Sequence, residues 1–202
     1  MSFRWIGRSQ DGKTVTLKKL EGCPINPPAY FTPEWQQKNN DIIRVGAVLD
    51  VETTGLKQNE DSIIEIAIRL FLFNRSSGEI LSLLESYSSF QDPGKPLAPE
   101  ITQLTGITDE MLKGHQINWS EVDQLLDKAQ IIISHNARFD RPFVDRFSEI
   151  SRHKIWGCSL KQINWSQQGY MSSKLELLNI YHGFFTDSHR ALNDVDALLY
   201  LL

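Results

Sequence analysis

Two carboxylates end an apolar run in VGAVLDVETTGL, residues 45–56. Asp50 and Glu52 are two apart, and such side chains on a strand share a face, with Cα atoms roughly 6.5 Å apart. Like charges converging at the end of a buried strand repel unless a positive charge lies between them. A hard divalent cation, Mg²⁺ or Mn²⁺, suits carboxylate and water oxygens. A strand whose acidic end merely reaches solvent would carry the same residues, so this stretch alone leaves both readings open.

Two further segments bring acids. SHNARFDRPFV, 134–144, sets Asp140 in the first turns of a helix that Asn136 can cap. HRALNDVDALL, 189–199, sets His189 five positions before Asp194. Five helical residues turn through about 500°, so the two cannot share a face. His189 therefore belongs at the helix start or just before it, with Asp194 one turn in, where the imidazole can swing toward ions that Asp194 ligates. Taken singly, each segment has an ordinary explanation as a capped helix or a chance spacing. His115, His153 and His182 read as surface or structural histidines, and Asp145 and Asp196 as solvated helix positions.

The elements that must position these groups follow from periodicity. Apolar, β-branched runs predict strands at 45–52, 62–73 and 79–90, an antiparallel meander with a turn at Gly78. Pro99 opens a short helix to Leu104. Ser120 caps a helix through Lys128, and 131–133 is a short buried strand. Further expected elements are a helix at 138–147, a strand at 156–158, a helix at 174–181 capped by Ser173 and closed by Gly183, and a last helix from about His189. Three strands followed by alternating helix and strand predict a mixed-sheet α/β domain. The expected division is 1–40 as an appendage and 41–202 as the main domain. In the appendage, 14–17 alternates like a strand after the turn signal Asp11-Gly12. The proline-rich passage 23–35 is expected to be extended, without a regular helix.

A fraction of 41% hydrophobic and 23% charged residues in 202 describes an ordinary globular chain able to bury a core. The net charge of −4 advertises no global nucleic-acid field, yet residues 1–40 carry six Lys/Arg against three Asp/Glu, net +3, leaving −7 for the rest. That segment reads either as a basic arm touching nucleic acid or as an appendage packed through Trp5, Tyr30, Phe31 and Trp35. Two cysteines, Cys23 and Cys158, form neither a zinc motif nor a disulfide framework. With no signal peptide or membrane-spanning run, a cytoplasmic protein with no membrane partner is expected.

In order along the chain, LDVETTGL (49–56), LTGIT (104–108), HNARFDRPFV (135–144) and HRALNDVDAL (189–198) resemble the DEDDh family of 3′→5′ exonucleases, in particular the proofreading (epsilon) subunits of bacterial DNA polymerase III. The likeness covers about residues 42–202. The family's other branch has a tyrosine four positions before the last aspartate; Arg190 stands there and His189 one earlier, so the histidine branch fits.

The resemblance implies a ribonuclease-H-like fold, a mixed five-stranded sheet flanked by helices. It implies two divalent ions, Mg²⁺ or Mn²⁺, with Asp50 bridging them, Glu52 and Asp194 completing one site, Asp140 holding the second ion and His189 as general base. The activity implied is hydrolysis from the 3′ end of single-stranded or frayed DNA, releasing nucleoside 5′-monophosphates, in proofreading or repair. Thr53 and Thr54 would engage the terminal nucleotide and Leu56 would wedge against the last bases. Asn136 is placed among the substrate contacts, and Phe139 packs either beside the nucleotide or in the core. The partners implied are a single-stranded or 3′-end nucleic acid, DNA favoured, and a replication or repair protein. An RNA-trimming exonuclease is the alternative within the class, and a binding or scaffold subunit that keeps the fold is the alternative outside it.

Overall fold

In the computed structural model the described residues are 7–11, 13–22 and 26–202. The expected turn residue Gly12, the packing of Trp5, and Cys23 with Pro24 lie outside them.

Near the start, β1 (Gly7–Arg8) pairs antiparallel with β2 (Val15–Thr16), and β3 (Lys18–Lys19) follows at once. The passage expected to be extended throughout contains α1 (Pro33–Lys38). Thr32 caps it, accepting from the Trp35 N–H, and Pro33 opens it, where a missing N–H leaves no intrahelical bond unmade. Trp35 gathers the rings of Tyr30 and Phe31, and the Tyr30 hydroxyl donates to the Glu79 carboxylate.

β4 (Ile43–Thr53), β5 (Ile63–Asn74) and β6 (Ile80–Phe90) form the expected antiparallel meander. Their apolar residues alternate between two cores. Ala47, Leu49 and Val51 stand opposite Leu70, Ile68 and Ile66, all on one face. Val48, Asp50 and Glu52 stand opposite Arg69, Ala67 and Glu65 on the other. Gly46 has a steric reason: a Cβ there would lie 2.4 Å from the Phe71 ring.

After β6 come α2 (Pro99–Thr105), ended by Gly106 in the left-handed conformation, α3 (Asp109–Leu112) and α4 (Trp119–Lys128). The cap of α4 is Asn118, whose side chain accepts from the Glu121 N–H, and Ser120 lies inside the helix. β7 (Ile131–Ser134) runs parallel to β4 and leads to α5 (Ala137–Val144). Asn136 stands at the cap position of α5, but its side chain makes no capping bond, and the helix stops at Val144, short of the expected end. Ser148 then caps α6 (Glu149–His153), and β8 (Ile155–Cys158) pairs parallel with β7.

α7 (Ser159–Gln162) and α8 (Leu175–Tyr181) follow. Lys174, not Ser173, holds the cap position of α8. The chain continues through β9 (Phe184–Phe185) into α9 (Ala191–Leu201). β9 lies outside the main sheet and pairs parallel with β3, Lys18 opposite Phe184. The main sheet has the order β6-β5-β4-β7-β8, the mixed five-stranded arrangement of a ribonuclease-H-like fold. α4 and α5 cover the face carrying Leu49, and α9 covers the face carrying Val48. Burial of this apolar area is the main stabilising term.

Of two expected surface acids, one is buried and the other partly so. Asp196 of α9 is 4% exposed and faces Arg69 of β5 across the second core, and Asp145 is half-buried against Arg141 and Ser151. The helix faces that carry them turn inward onto neighbouring elements. Among the described residues, no helix is long and apolar enough to cross a membrane.

Candidate active site

β4 delivers Asp50 and Glu52 to the face covered by α9, at the end of the strand where pairing with β5 shifts register between Glu52 and Thr53. α5 delivers Asp140, 3% exposed, whose Oδ1 accepts from the Val51 N–H at 3.2 Å and so ties the helix start to the strand end. α9 delivers Asp194 in its first turn. Ligand-capable atoms of Glu52, His189 and Asp194 all lie within 4.8 Å of one another. Residues far apart in sequence thus meet at one point because three elements end there.

His189 precedes α9 in the left-handed region, at φ 63°, the one non-glycine residue with positive φ among the described residues. For an L-residue this conformation is strained and persists only where the surroundings hold it. They hold it from both sides. The His189 N–H donates to Asp194 Oδ2 at 2.9 Å. On the other side Arg190 forms a two-pronged pair with Glu65, at 3.2 Å from Nε and 3.0 Å from Nη2, and the Ala191 N–H donates to the same carboxylate at 3.0 Å. Glu65 of β5 therefore caps α9, a task no local side chain performs.

Glu65 was not among the residues expected at the site. Its signal lay in IIEIAI, an acid inside an unbroken apolar run, which burial tolerates only with a partner.

The four carboxylates are mutually destabilising as anions. Burial, and then the charges of Asp140, Asp194, Glu52 and Glu65, push the Asp50 carboxyl well above the ordinary carboxylate range. Burial first, and Asp194 next, raise Glu52 to about 8. Burial also raises Asp140 and Asp194 to about 7 each, against the backbone N–H groups of Val51 and His189 that stabilise their anions. The Arg190 guanidinium, whose charge opposes the rise at Glu52, is held by Glu65, and that hydrogen bond raises its own pKa. A set of oxygen donors with no cation committed to it has the composition that a hard divalent ion requires, and the residues present fit that group.

These groups line a cavity of about 450 Å³ together with His135, Asn136, Phe139, Leu160, Lys174 and Ser188. Phe139 lines it with its ring backed by Phe143, centroids 5.2 Å apart, and also packs on the core, one of its two expected placements. Thr53 and Thr54 are not in the lining. Thr53 is buried with its hydroxyl donating to the Gly55 carbonyl, and the Thr54 hydroxyl is bonded to Asp61 and to the Ser62 N–H. Asp61 fills the space beside Gly55, where a Cβ would lie 2.5 Å from the carboxylate. Leu56, 84% exposed, stands on this tied loop outside the cavity.

His135, which the sequence offered only within a motif, is a structural part of the wall. Its Nε2 bonds the Ser173 carbonyl and its Nδ1 the Ser159 hydroxyl, each at 2.8 Å. A carbonyl only accepts, so Nε2 carries the proton. Burial lowers the pKa of this ring.

The family described as Exonuclease, of the RNase T type, matches residues 47–202. DNA polymerase III PolC-type proteins of Listeria monocytogenes and Bacillus cereus are 31% and 32% identical over 166 and 204 residues. Those alignments cover 76% and 95% of this chain but only 11% and 13% of the relatives' length. The zinc-bound E. coli ExoI–single-stranded DNA complex superimposes with a TM-score of 0.61 at 19% identity, over 78% of this chain and 39% of that one. A second E. coli exonuclease I structure gives 0.60. At that identity the likeness establishes the fold alone.

Proposed function

The chain belongs to the RNase T type exonuclease family, and from that premise we propose that it is a divalent-metal-dependent 3′→5′ exonuclease. It hydrolyses phosphodiester bonds at the 3′ end of single-stranded or frayed DNA and releases nucleoside 5′-monophosphates, in proofreading or repair. The observation that carries this reading is the convergence of Asp50, Glu52, Asp140 and Asp194 in one cavity beside His189, none of the four in an ion pair among the described residues. The names of the relatives favour DNA over RNA, since PolC-type proteins are DNA polymerases and the ExoI complex holds single-stranded DNA.

Mg²⁺ or Mn²⁺, two ions on the family pattern, would be held by Asp50, Glu52, Asp140 and Asp194. Such ions supply Lewis-acid polarisation of phosphate and water, and their charge makes an acidic cavity hospitable to a phosphodiester. His189, exposed at the cavity edge, accepts the proton of the attacking water on its imidazole. The braces on either side of it fix where that imidazole stands. Phe139 offers the terminal base a ring that Phe143 keeps in place. Asn136, exposed at the start of α5, presents its amide to the same nucleotide. Leu56, exposed on the loop that Asp61 closes, supplies the wedge, while Thr53 and Thr54 act by holding that loop in shape.

The test is a labelled single-strand assay with 5′-labelled and 3′-blocked DNA and RNA, with Mg²⁺, Mn²⁺ or chelator. Stepwise shortening from a free 3′ end, dependent on metal and stopped by a 3′ block, is the expected result. Internal cuts, or shortening that survives chelation, would overturn the proposal.

A further inference from the structure

A second cavity, of about 430 Å³, opens beside the catalytic one between α7 and the start of α8. The two share Leu160, and successive residues divide between them, Ser173 to the second and Lys174 to the first. The junction is rigid, because His135 bonds both Ser159 and the Ser173 carbonyl. The indole N–H of Trp165 adds a bond to the Ser159 carbonyl at 2.8 Å.

The two cavities differ in charge. The catalytic lining includes five carboxylates, Asp50, Glu52, Asp140, Glu176 and Asp194, whereas the second lining has none and includes Lys161. Lys161 is exposed, as is Lys174 at the junction, and among the described residues neither belongs to an ion pair. The amides of the second cavity are also fixed in orientation. Gln162 Oε1 accepts from the Cys158 N–H at 2.6 Å, and Asn164 Oδ1 accepts from the Ser166 hydroxyl and the Gln167 N–H. With both oxygens engaged inward, the side chains present their N–H₂ groups as donors. Met171, 89% exposed at the rim, adds an apolar surface.

The Lys161 ammonium and oriented amide donors without a carboxylate suit an anion rich in acceptors, and the volume suits one or two nucleotides. Continuity with the catalytic cavity decides which anion. We propose that this cavity is a second subsite, holding the backbone of the nucleotides just 5′ of the one being removed from a single-stranded nucleic acid. The proposal rests on the exonuclease reading. It supplies the strand with a cationic contact in a lining free of carboxylates.

The test compares two substrates of the chain of residues 1–202 in Mn²⁺. In p-nitrophenyl thymidine 5′-monophosphate, nitrophenol stands where the upstream strand would be; a twelve-residue oligothymidylate has that strand. For Lys161→Glu, KM for the twelve-mer should rise about tenfold, and the ratio of kcat/KM, strand over ester, should fall by about the same factor. A ratio within twofold of the parent's overturns the subsite, as does an equal loss on both substrates. If the parent cleaves neither substrate, the exonuclease reading fails, and binding judges the subsite alone. Anisotropy of the labelled twelve-mer on Asp50→Asn, with and without Lys161→Gln, should show a salt slope shallower by about 0.7 for one lost phosphate contact. An unchanged slope, or displacement of the strand by inorganic phosphate at equal concentration, overturns the proposal.

Discussion

Helix α9 carries two aspartates two residues apart, and they meet opposite surroundings. Asp196 faces Arg69, bonded from Nη2 to Oδ2 at 3.1 Å; the closer Nε–Oδ1 approach of 2.6 Å lies off the hydrogen-bonding direction, so the first contact is the better measure of the bond. Glu65, on the same sheet face, is likewise matched to Arg190. Among the described residues Asp194, with Asp50, Glu52 and Asp140, forms no ion pair, and burial raises all four pKa values. A buried carboxylate must find a cation or take up a proton. Two acids on this face have their cation built in, and four are left for one from outside. Paired and unpaired buried carboxylates are thus told apart by their neighbours, although in sequence both are acids among apolar residues.

The largest expected effect comes from breaking a matched pair. Asp196→Ala leaves the Arg69 guanidinium, 18% exposed, with no counter-charge. The stability loss should be about 3–5 kcal/mol by urea unfolding. A loss below about 1 kcal/mol would mean that the pair is incidental and the contrast false.

Among the unmatched acids the same class of substitution should act in the opposite sense on folding. Asp50→Asn removes a charge that four neighbours repel, so the metal-free protein should melt at a higher temperature than the parent. Turnover should nevertheless fall by at least about 10²–10³-fold, the scale of losing one preorganised electrostatic contact. A variant that is both active and less stable would show that Asp50 is a structural acid.

The unmatched set also fixes a pH dependence. Glu52, Asp140 and Asp194 titrate in the folded protein at about 8, 7 and 7, above ordinary values of 4.5, 3.8 and 3.8. The folded state thus holds more protons than the unfolded one between about pH 4 and 8. Stability from these groups is fully present below the ordinary values and is lost as pH rises through the folded ones. In chelator, melting temperature should decline from pH 5 to pH 8. Added Mn²⁺ replaces the protons and stabilises by mass action, about 2.7 kcal/mol at a hundred times its Kd, so its effect should grow with pH. A Mn²⁺ effect independent of pH would place the metal elsewhere.

The contrast also marks how far the sequence could be read. The five strands of the main sheet and the positions of Asp50, Asp140 and Asp194 follow from local apolar periodicity and from acids at element ends. What could not be read depends on partners remote in sequence. Glu65 caps α9 from 126 positions away, where cap signals are ordinarily local. β3 and β9 are two residues each and exist only by pairing with one another. Asp196 lies in a helical pattern that fits solvent equally well until Arg69 is seen opposite. The bonds of the Thr53 and Thr54 hydroxyls within their own loop likewise appear only once that loop is folded onto Gly55 and Asp61.

The smallest effects separate two supports of the segment leading into α9, the β3–β9 pairing and the Arg190–Glu65 fork. On the N-terminal side, β3 pairs with β9 and Lys19 meets Asp187 at 2.6 Å, but that pair is exposed, with 43% and 63% of the side chains accessible. Exposed pairs are screened and pay side-chain entropy, so Lys19→Ala should leave kcat, KM and melting temperature where they were. On the other side the Arg190 fork spans both oxygens of a carboxylate that is 3% exposed. A lysine there keeps the charge and loses the fork. Arg190→Lys should therefore lower kcat by up to about tenfold with KM nearly constant, because the strained turn shifts the His189 imidazole and leaves the nucleotide contacts alone. Equal falls in kcat for the two variants would show that the histidine is positioned by the N-terminal strand as much as by Glu65. A rise in KM alone for Arg190→Lys would move Arg190 from the brace to the substrate.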